Sequence, residues 1–249
     1  MPLYFQALLW GLLAGAALVI GAALASVPRI SPRVLAAVTA FGAGVLISAL
    51  SFELIDEAHR RGGILPTAIG FLAGAAAFTA ANVWISRRGG HGRTRSGHQQ
   101  QKAHESAGLA IAVGALFDGI PESVAIGVSL LADQHMTFVT VAAIFMANLP
   151  EGLASATGMR KAGRSNAYIF GVWGGIALSC GVAAMVGNLT LSQSDPAIIA
   201  VVLAVAAGAI LALIVDTMIP EAFEITHEYA GLITVIGFLS AFAISKLAE

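Results

Sequence analysis

Long, uninterrupted apolar runs constrain the fold of this chain more than any other feature of its sequence. Eight such runs follow one another with polar breaks between them: Leu3–Val27, Val34–Ala58, Ile64–Ser86, Ser106–Leu131, Thr137–Arg160, Ala167–Leu189, Ala197–Phe223 and Ala230–Leu247. A helix needs about 20 apolar residues to cross a bilayer, and each run is about that long. Membrane β-barrels are built from short alternating strands, which these runs do not resemble. We therefore predict an all-α integral membrane protein with eight transmembrane helices in a lipid bilayer.

The composition leaves little material for a separate soluble domain. Of the 249 residues, 57% are hydrophobic and 11% are charged, whereas about a quarter of the residues in a soluble domain are charged. We expect residues 1–249 to form a single membrane domain in which the polar stretch 87–105 is the one long connection. This stretch contains His91, His98 and His104, at a spacing that matches no closed zinc site. The basic residues form no basic domain, so we expect no nucleic-acid partner.

The distribution of Lys and Arg predicts the orientation of the helices. Basic residues favour the cytoplasmic loops of membrane proteins. If the N-terminus lies outside, ten of the 13 basic residues fall in inside loops and the other three fall outside. One span more or fewer would disturb this alternation. We therefore expect both termini outside, the stretch 87–105 in the cytoplasm, and insertion in a plasma membrane, which in a bacterium is the inner membrane.

Carboxylates inside the apolar runs are the strongest indication of function. They are Glu53, Asp118, Glu122, Glu151, Asp216 and Glu221, with Glu57 nearer a helix end. An ionised group at the bilayer centre costs about 2.5–3.5 kcal/mol on insertion scales. No Lys or Arg lies in the interior of the same runs to offset this cost. Such acids are retained by protonation, by a water-filled cavity or by a bound cation.

Helical spacing places several oxygen donors on shared faces. Three pairs lie four or three residues apart: Glu53 with Glu57, Asp118 with Glu122, and Asn148 with Glu151. Residues at these spacings are neighbours on a helix surface. Asp216 and Glu221 are five residues apart and align less well. The second, fourth, fifth and seventh spans can therefore each offer oxygen ligands to a common interior.

Proline directly precedes glutamate in three of the runs, at Pro121, Pro150 and Pro220. Proline inside a helix frees the carbonyl four residues earlier and kinks the chain. A Pro-Glu pair can also mark an ordinary helix entry near the membrane interface. Three pairs near the middle of apolar runs instead favour broken backbone that lines a cavity. Carboxylate, amide and carbonyl oxygens together suit a divalent cation, so the sequence predicts a metal pathway.

These motifs resemble those of the ZIP (Zrt- and Irt-like) family of zinc and iron transporters. In the fifth span, the segment 148–152, Asn-Leu-Pro-Glu-Gly, is similar to the Asn-x-Pro-Glu-Gly form of that family. In the fourth span, Asp118-Gly-Ile-Pro-Glu122-Ser keeps the Pro and Glu of a His-Asn-x-Pro-Glu-Gly motif, with Asp118 at the histidine position. The segments 53–58 and 216–221 resemble the motifs of the second and seventh spans more distantly.

The resemblance implies alternating access in a bundle where inverted repeats of helices 1–3 and 6–8 surround helices 4 and 5, frequently as a homodimer. It implies a transport site that can hold one or two metal ions, formed by Asp118, Glu122, Asn148 and Glu151. Zinc is the metal that the family indicates, and no organic cofactor is expected. No histidine lies inside a span, however, and oxygen donors suit Mn²⁺ and similar ions. We therefore expect weak discrimination, with Mn²⁺, Fe²⁺ or Cd²⁺ transported as well.

Two other functions are compatible with the sequence. A proton-coupled carrier or channel for another solute would use the same acids as titrating groups. An intramembrane enzyme is disfavoured because His227 and Glu228 are followed by Gly231 where a metalloprotease helix needs a second histidine. No Ser with Lys or His inside the spans suggests a nucleophile, so we expect no enzymatic activity.

Overall fold

The helices of the computed structural model follow the apolar runs of the sequence. The structure describes residues 1–26, 31–85, 87, 116, 119–132 and 134–247. Within these ranges the helices are α1 (Leu3–Leu24), α2 (Pro32–Gly62), α3 (Ile64–Ile85), α4 (119–129), α5 (Gln134–Lys161), α6 (Asn166–Leu191), α7 (Pro196–Thr226) and α8 (Tyr229–Leu247). The described ranges contain no strand, and the predicted all-α class is confirmed for them.

Seven of these helices are long and apolar enough to cross a membrane, which supports a multi-pass membrane protein. Helix α4 lies inside the fourth predicted run, of which residues 106–115, 117 and 118 fall outside the described residues. The predicted polar loop at 87–105 also lies outside them, apart from Arg87.

Helices α2 and α7 begin in the same way. Ser31 precedes Pro32, and its hydroxyl accepts a hydrogen bond from the backbone N–H of Val34 at 3.3 Å. Asp195 precedes Pro196, and its carboxylate accepts one from the N–H of Ala197 at 2.8 Å. Side-chain acceptors satisfy first-turn amides that have no helical partner, and proline fits the first helical position because it has no N–H to satisfy.

The two helices also share an unusual interior. Each is 31 residues long, and each starts with 18 residues of α-helix. A π-helical segment follows, Leu50–Ile55 in α2 and Ile214–Met218 in α7, before α-helix resumes. Single π turns inside helices occur frequently at functional sites. Each helix is followed by a residue with positive φ, Gly63 at 74° and His227 at 46°.

Helix α8 packs against α2 just as α3 packs against α7. A Cβ atom on Gly44 would meet the carbonyl oxygen of Thr234 in α8, and one on Gly208 would meet that of Phe71 in α3. Gly44 and Gly208 occupy the same position in α2 and α7, each twelve residues after the helix's first proline. The end of α2 lies beside the beginning of α7, so these two helices run antiparallel.

A second set of helices forms around α1, which packs against both α5 and α6. A Cβ atom on Gly15 would meet the backbone of Ala177 in α6, and one on Gly152 in α5 would meet the carbonyl oxygen of Leu18. Small residues allow such close backbone approach between membrane helices. Helix α5 also packs against α2, and it therefore connects the two sets.

Candidate metal-binding pocket

One face of α5 carries the candidate site. A pocket between α2, α5 and α7 is lined by Thr39, Ala147, Pro150, Glu151, Ala154, Met218 and Glu221. The two glutamates come from different helices, and both side chains are buried, Glu151 at 9% and Glu221 at 5% exposure. The structure therefore brings together two of the acids that the sequence singles out.

Proline precedes each of these glutamates along the chain. Pro150 lies inside α5, which continues through it. Pro220 comes two residues after the π-helical segment of α7. Proline has no backbone N–H, so Pro220 cannot bond to the carbonyl oxygen of Asp216 four residues earlier. Irregular backbone and a buried acid, which the sequence predicts to occur together, do so in α7, whereas α5 continues as α-helix through Pro150 beside Glu151.

Thr39 supplies a hydroxyl from the third helix of the pocket. Its Oγ1 donates a hydrogen bond to the carbonyl oxygen of Leu35 at 3.1 Å. A hydroxyl that donates its proton still carries lone pairs, so the oxygen can accept a hydrogen bond or ligate a cation. This residue could not be predicted from the sequence, because a lone threonine in an apolar run carries no distinctive signal.

Asn148 lies one turn before Glu151 and is buried. Its Nδ2 donates a hydrogen bond to the carbonyl oxygen of Ala14 in α1 at 3.1 Å. Asn188 of α6 makes the corresponding contact with Gly127 of α4 at 2.9 Å. Asn148 therefore fixes α5 against α1 through its amide nitrogen.

Glu122 is buried in α4 with an exposure of 3%. The thiol of Cys180 in α6 lies beside Ser123, the residue that follows Glu122. A Cβ atom on Gly119 would come within 3.1 Å of the same sulfur. Cys180 of α6 therefore lies beside the part of α4 that carries Glu122. Nothing in the sequence signals this proximity, since the neighbours of Cys180 along the chain are mostly apolar.

Asp118 lies outside the described residues, so its relation to Glu122 stays a prediction. In the part of the chain that the structure describes, no three acidic, histidine or cysteine side chains form a group that could enclose a metal ion. The sequence predicts that oxygen ligands from four helices converge. Among the described residues, Glu151 and Glu221 line the same pocket, and Glu122 lies near Cys180.

No protein-family model matches this chain, and no curated protein matches its sequence. The resemblance to the ZIP family therefore depends on the motifs alone.

The remaining candidate ligands have other surroundings. Glu53 is buried, and its Oε1 accepts a hydrogen bond from the hydroxyl of Ser245 in α8 at 2.6 Å. Asp216 is exposed on α7, whereas Glu221 is buried in the pocket. Neither Glu53 nor Asp216 is among the residues that line that pocket.

Glu57 is paired with two basic side chains. Its Oε1 lies 2.6 Å from Arg61 Nε, and its Oε2 lies 2.9 Å from Arg60 Nη2. The expectation that the acids lack basic partners therefore does not extend to Glu57, because α2 continues for a turn beyond the predicted end at Ala58 and includes both arginines. Arg61 also donates to the carbonyl oxygen of Leu131 at 2.9 Å, which ties the end of α2 to the segment after α4.

Replacing Arg61 with glutamine is expected to lower the thermal stability in detergent more than replacing Arg60 does. The Arg61 side chain is 21% exposed and that of Arg60 is 62% exposed. A partly buried, charge-assisted hydrogen bond contributes about 1.5–3 kcal/mol, whereas an exposed ion pair contributes under about 1 kcal/mol. Thermal unfolding of Arg61→Gln and Arg60→Gln would check this. Equal shifts in the two variants would contradict the role assigned to Arg61.

Proposed function

We propose that this protein transports a divalent metal cation across the membrane, with the cation bound in passage by Glu151 and Glu221. The observation that carries the proposal is that two carboxylates from α5 and α7 line one pocket with a hydroxyl from α2. Two carboxylates in one small pocket repel each other when both are ionised. A divalent cation removes this repulsion and accepts oxygen ligands of both kinds.

The proposed pathway includes further donors around this pair. Glu122 and Asp118 of the fourth span and Asn148 of α5 complete the set that the ZIP resemblance implies. These donors are oxygens, so we expect Mn²⁺, Fe²⁺ and Cd²⁺ to compete with Zn²⁺. Membership of the ZIP family, eight spans with both termini outside, a plasma-membrane location and a homodimer belong to the same proposal.

The arrangement of the helices suits alternating access. Helix α5 contributes Glu151 and packs against both α1 and α2, so it lies where the two sets of helices meet. A movement of one set relative to the other would expose the Glu151–Glu221 pocket first to one side of the membrane and then to the other. The likeness of α2–α3 to α7–α8 supports this mechanism, because similar packing on both sides gives two conformations of similar energy.

Replacing Glu151 with glutamine is expected to lower divalent-cation flux by about 100-fold. The substitution keeps the shape of the side chain and removes its charge, and this loss corresponds to about 2.7 kcal/mol of transition-state stabilisation. Flux into proteoliposomes would be measured for Zn²⁺, Cd²⁺, Mn²⁺, Fe²⁺, Co²⁺ and Mg²⁺. Glu224→Gln is the matched control, because Glu224 is an exposed acid at the end of α7.

Two outcomes would contradict the proposal. One is equal flux in the wild type and Glu151→Gln with every metal that is transported. The other is no metal flux at all together with a proton leak that Glu151→Gln abolishes, which would favour the proton-coupled carrier for another solute.

A further inference from the structure

Thr140 of α5 has a buried hydroxyl that makes no hydrogen bond. Its side chain is 2% exposed. A threonine in a helix usually satisfies its hydroxyl by donating to the carbonyl four residues earlier. Six other threonines of this protein do so: Thr39, Thr67, Thr157, Thr190, Thr226 and Thr234. Thr140 therefore departs from the local rule, and a buried hydroxyl without a hydrogen bond destabilises the folded protein.

The hydroxyl belongs to a second cavity between the same three helices. Its lining consists of Leu46, Ala49, Leu50, Leu54, Thr140, Ala143, Ile144 and Ile210. Thr140 is the one polar side chain in this lining. Leu50 and Leu54 belong to the π-helical segment of α2, so the cavity borders irregular backbone.

The two cavities follow one face of α5. Thr140, Ala143 and Ala147 are separated by three or four residues, and Glu151 continues the series at the same spacing. Eleven residues of helix separate Thr140 from Glu151, which corresponds to about 16 Å along the axis. The second cavity therefore lies between the Glu151–Glu221 pocket and the membrane face where α5 begins.

We infer that Thr140 is the polar contact of a transit site through which a hydrated divalent cation passes between that membrane face and the Glu151–Glu221 pocket. The inference rests on the proposed function and adds a second site to its pathway. The cost of an unsatisfied hydroxyl is explained if the group bonds to water or to a hydrated cation when the cavity opens.

The chemistry of the lining determines what this site can hold. A bare ion in a cavity without charged ligands is strongly unfavourable, so the cation must keep part of its hydration shell there. A neutral hydroxyl can accept a hydrogen bond from that shell or replace one of its waters. The site is therefore weak, and it affects the rate of passage more than the affinity for the cation.

Replacing Thr140 with valine, which has nearly the same shape and no hydroxyl, is expected to lower the maximal flux about tenfold with little change in KM. Thr140→Ser keeps the hydroxyl and is expected to stay within about twofold of the wild type. Thr137→Val is the matched control on the same helix, because the Thr137 hydroxyl already accepts a hydrogen bond from Ser129 at 3.2 Å. Equal flux in Thr140→Val and the wild type, per folded protein, would overturn the inference.

Thiol accessibility tests the site without any metal. Cys180 is the one cysteine of the chain, so Cys180→Ala gives a background without thiols. In that background, Thr140→Cys is expected to react with a water-soluble maleimide at least ten times faster than Thr137→Cys. Equal, slow labelling at both positions would overturn the transit site even if Glu151→Gln abolishes metal flux. If Thr140→Cys reacts fast but the wild type transports no metal, the cavity is open to water and the divalent cation is rejected as its cargo.

Discussion

Gly208→Ala is expected to destabilise the folded protein strongly, whereas Gly231→Ala is expected to be tolerated. The added Cβ of Gly208→Ala would overlap the backbone carbonyl oxygen of Phe71. Backbone cannot turn aside as a flexible side chain can, so α3 and α7 would have to separate. Overpacking of this kind costs about 1–3 kcal/mol and sometimes more. At Gly231 the added Cβ would meet no atom within 4 Å apart from its chain neighbours and the backbone of its own helix.

The effect should be visible in detergent as a lower yield of monodisperse protein and a thermal midpoint lowered by about 10 °C, since about 1 kcal/mol shifts the midpoint of a chain this long by about 2–4 °C. Gly44→Ala should produce a similar loss, because its Cβ would overlap the carbonyl oxygen of Thr234 in α8. Wild-type behaviour of Gly208→Ala would contradict the close packing of α3 on α7. A loss at one glycine alone would contradict the likeness of the two helix pairs.

The approximate bounds of the helices could be predicted from the sequence, because a helix that crosses a membrane needs a minimum length of apolar residues. The predicted run Ala197–Phe223 corresponds to α7, which starts one residue earlier at Pro196 and ends at Thr226. Its start is signalled locally, since an Asp before a Pro is a typical helix beginning. The predicted end of α2 comes too early because Arg60 and Arg61 look like a loop, whereas in the structure they pair with acids of the same helix.

The positions of the acids around each helix were harder to predict. Asp216 and Glu221 are five residues apart, which is about 500° of rotation and places them about 140° apart on an ideal helix. In α7 a π-helical segment, Ile214–Met218, includes Asp216. The corresponding segment of α2 is followed by no proline within that helix, so no residue pattern predicts it. Asp216 consequently lies on the surface while Glu221 lines the pocket.

Contacts between helices that are distant in the sequence could not be predicted from the spacing of residues. Glu53 and Glu57 share a face, yet one accepts from Ser245 and the other binds two arginines. Cys180 comes close to Glu122 only because α6 packs beside α4. The spacing of residues predicts which of them share a helix face, whereas the packing of the helices determines which side chains each of them contacts.

A double substitution distinguishes a shared cation from two separate sites. If Glu151 and Glu221 bind one ion together, removing either charge already destroys the site. We expect each single variant to lower the cation flux about 100-fold. The flux of the double variant Glu151→Gln/Glu221→Gln should then be little lower than that of either single variant. Two independent sites would instead multiply their losses to about 10⁴-fold. Mn²⁺ and Zn²⁺ flux into proteoliposomes would measure this difference.

Glu53 provides the comparison, because it is buried and acidic but lies with Ser245 outside the pocket. Glu53→Gln is expected to combine additively with Glu151→Gln, so that the loss in the double variant equals the product of the single losses within about twofold. Non-additivity for Glu151 with Glu221, and additivity for Glu151 with Glu53, would together identify the pair that holds the cation. Additivity in both combinations would mean that the two pocket acids act separately, and the shared binding of one ion would have to be abandoned.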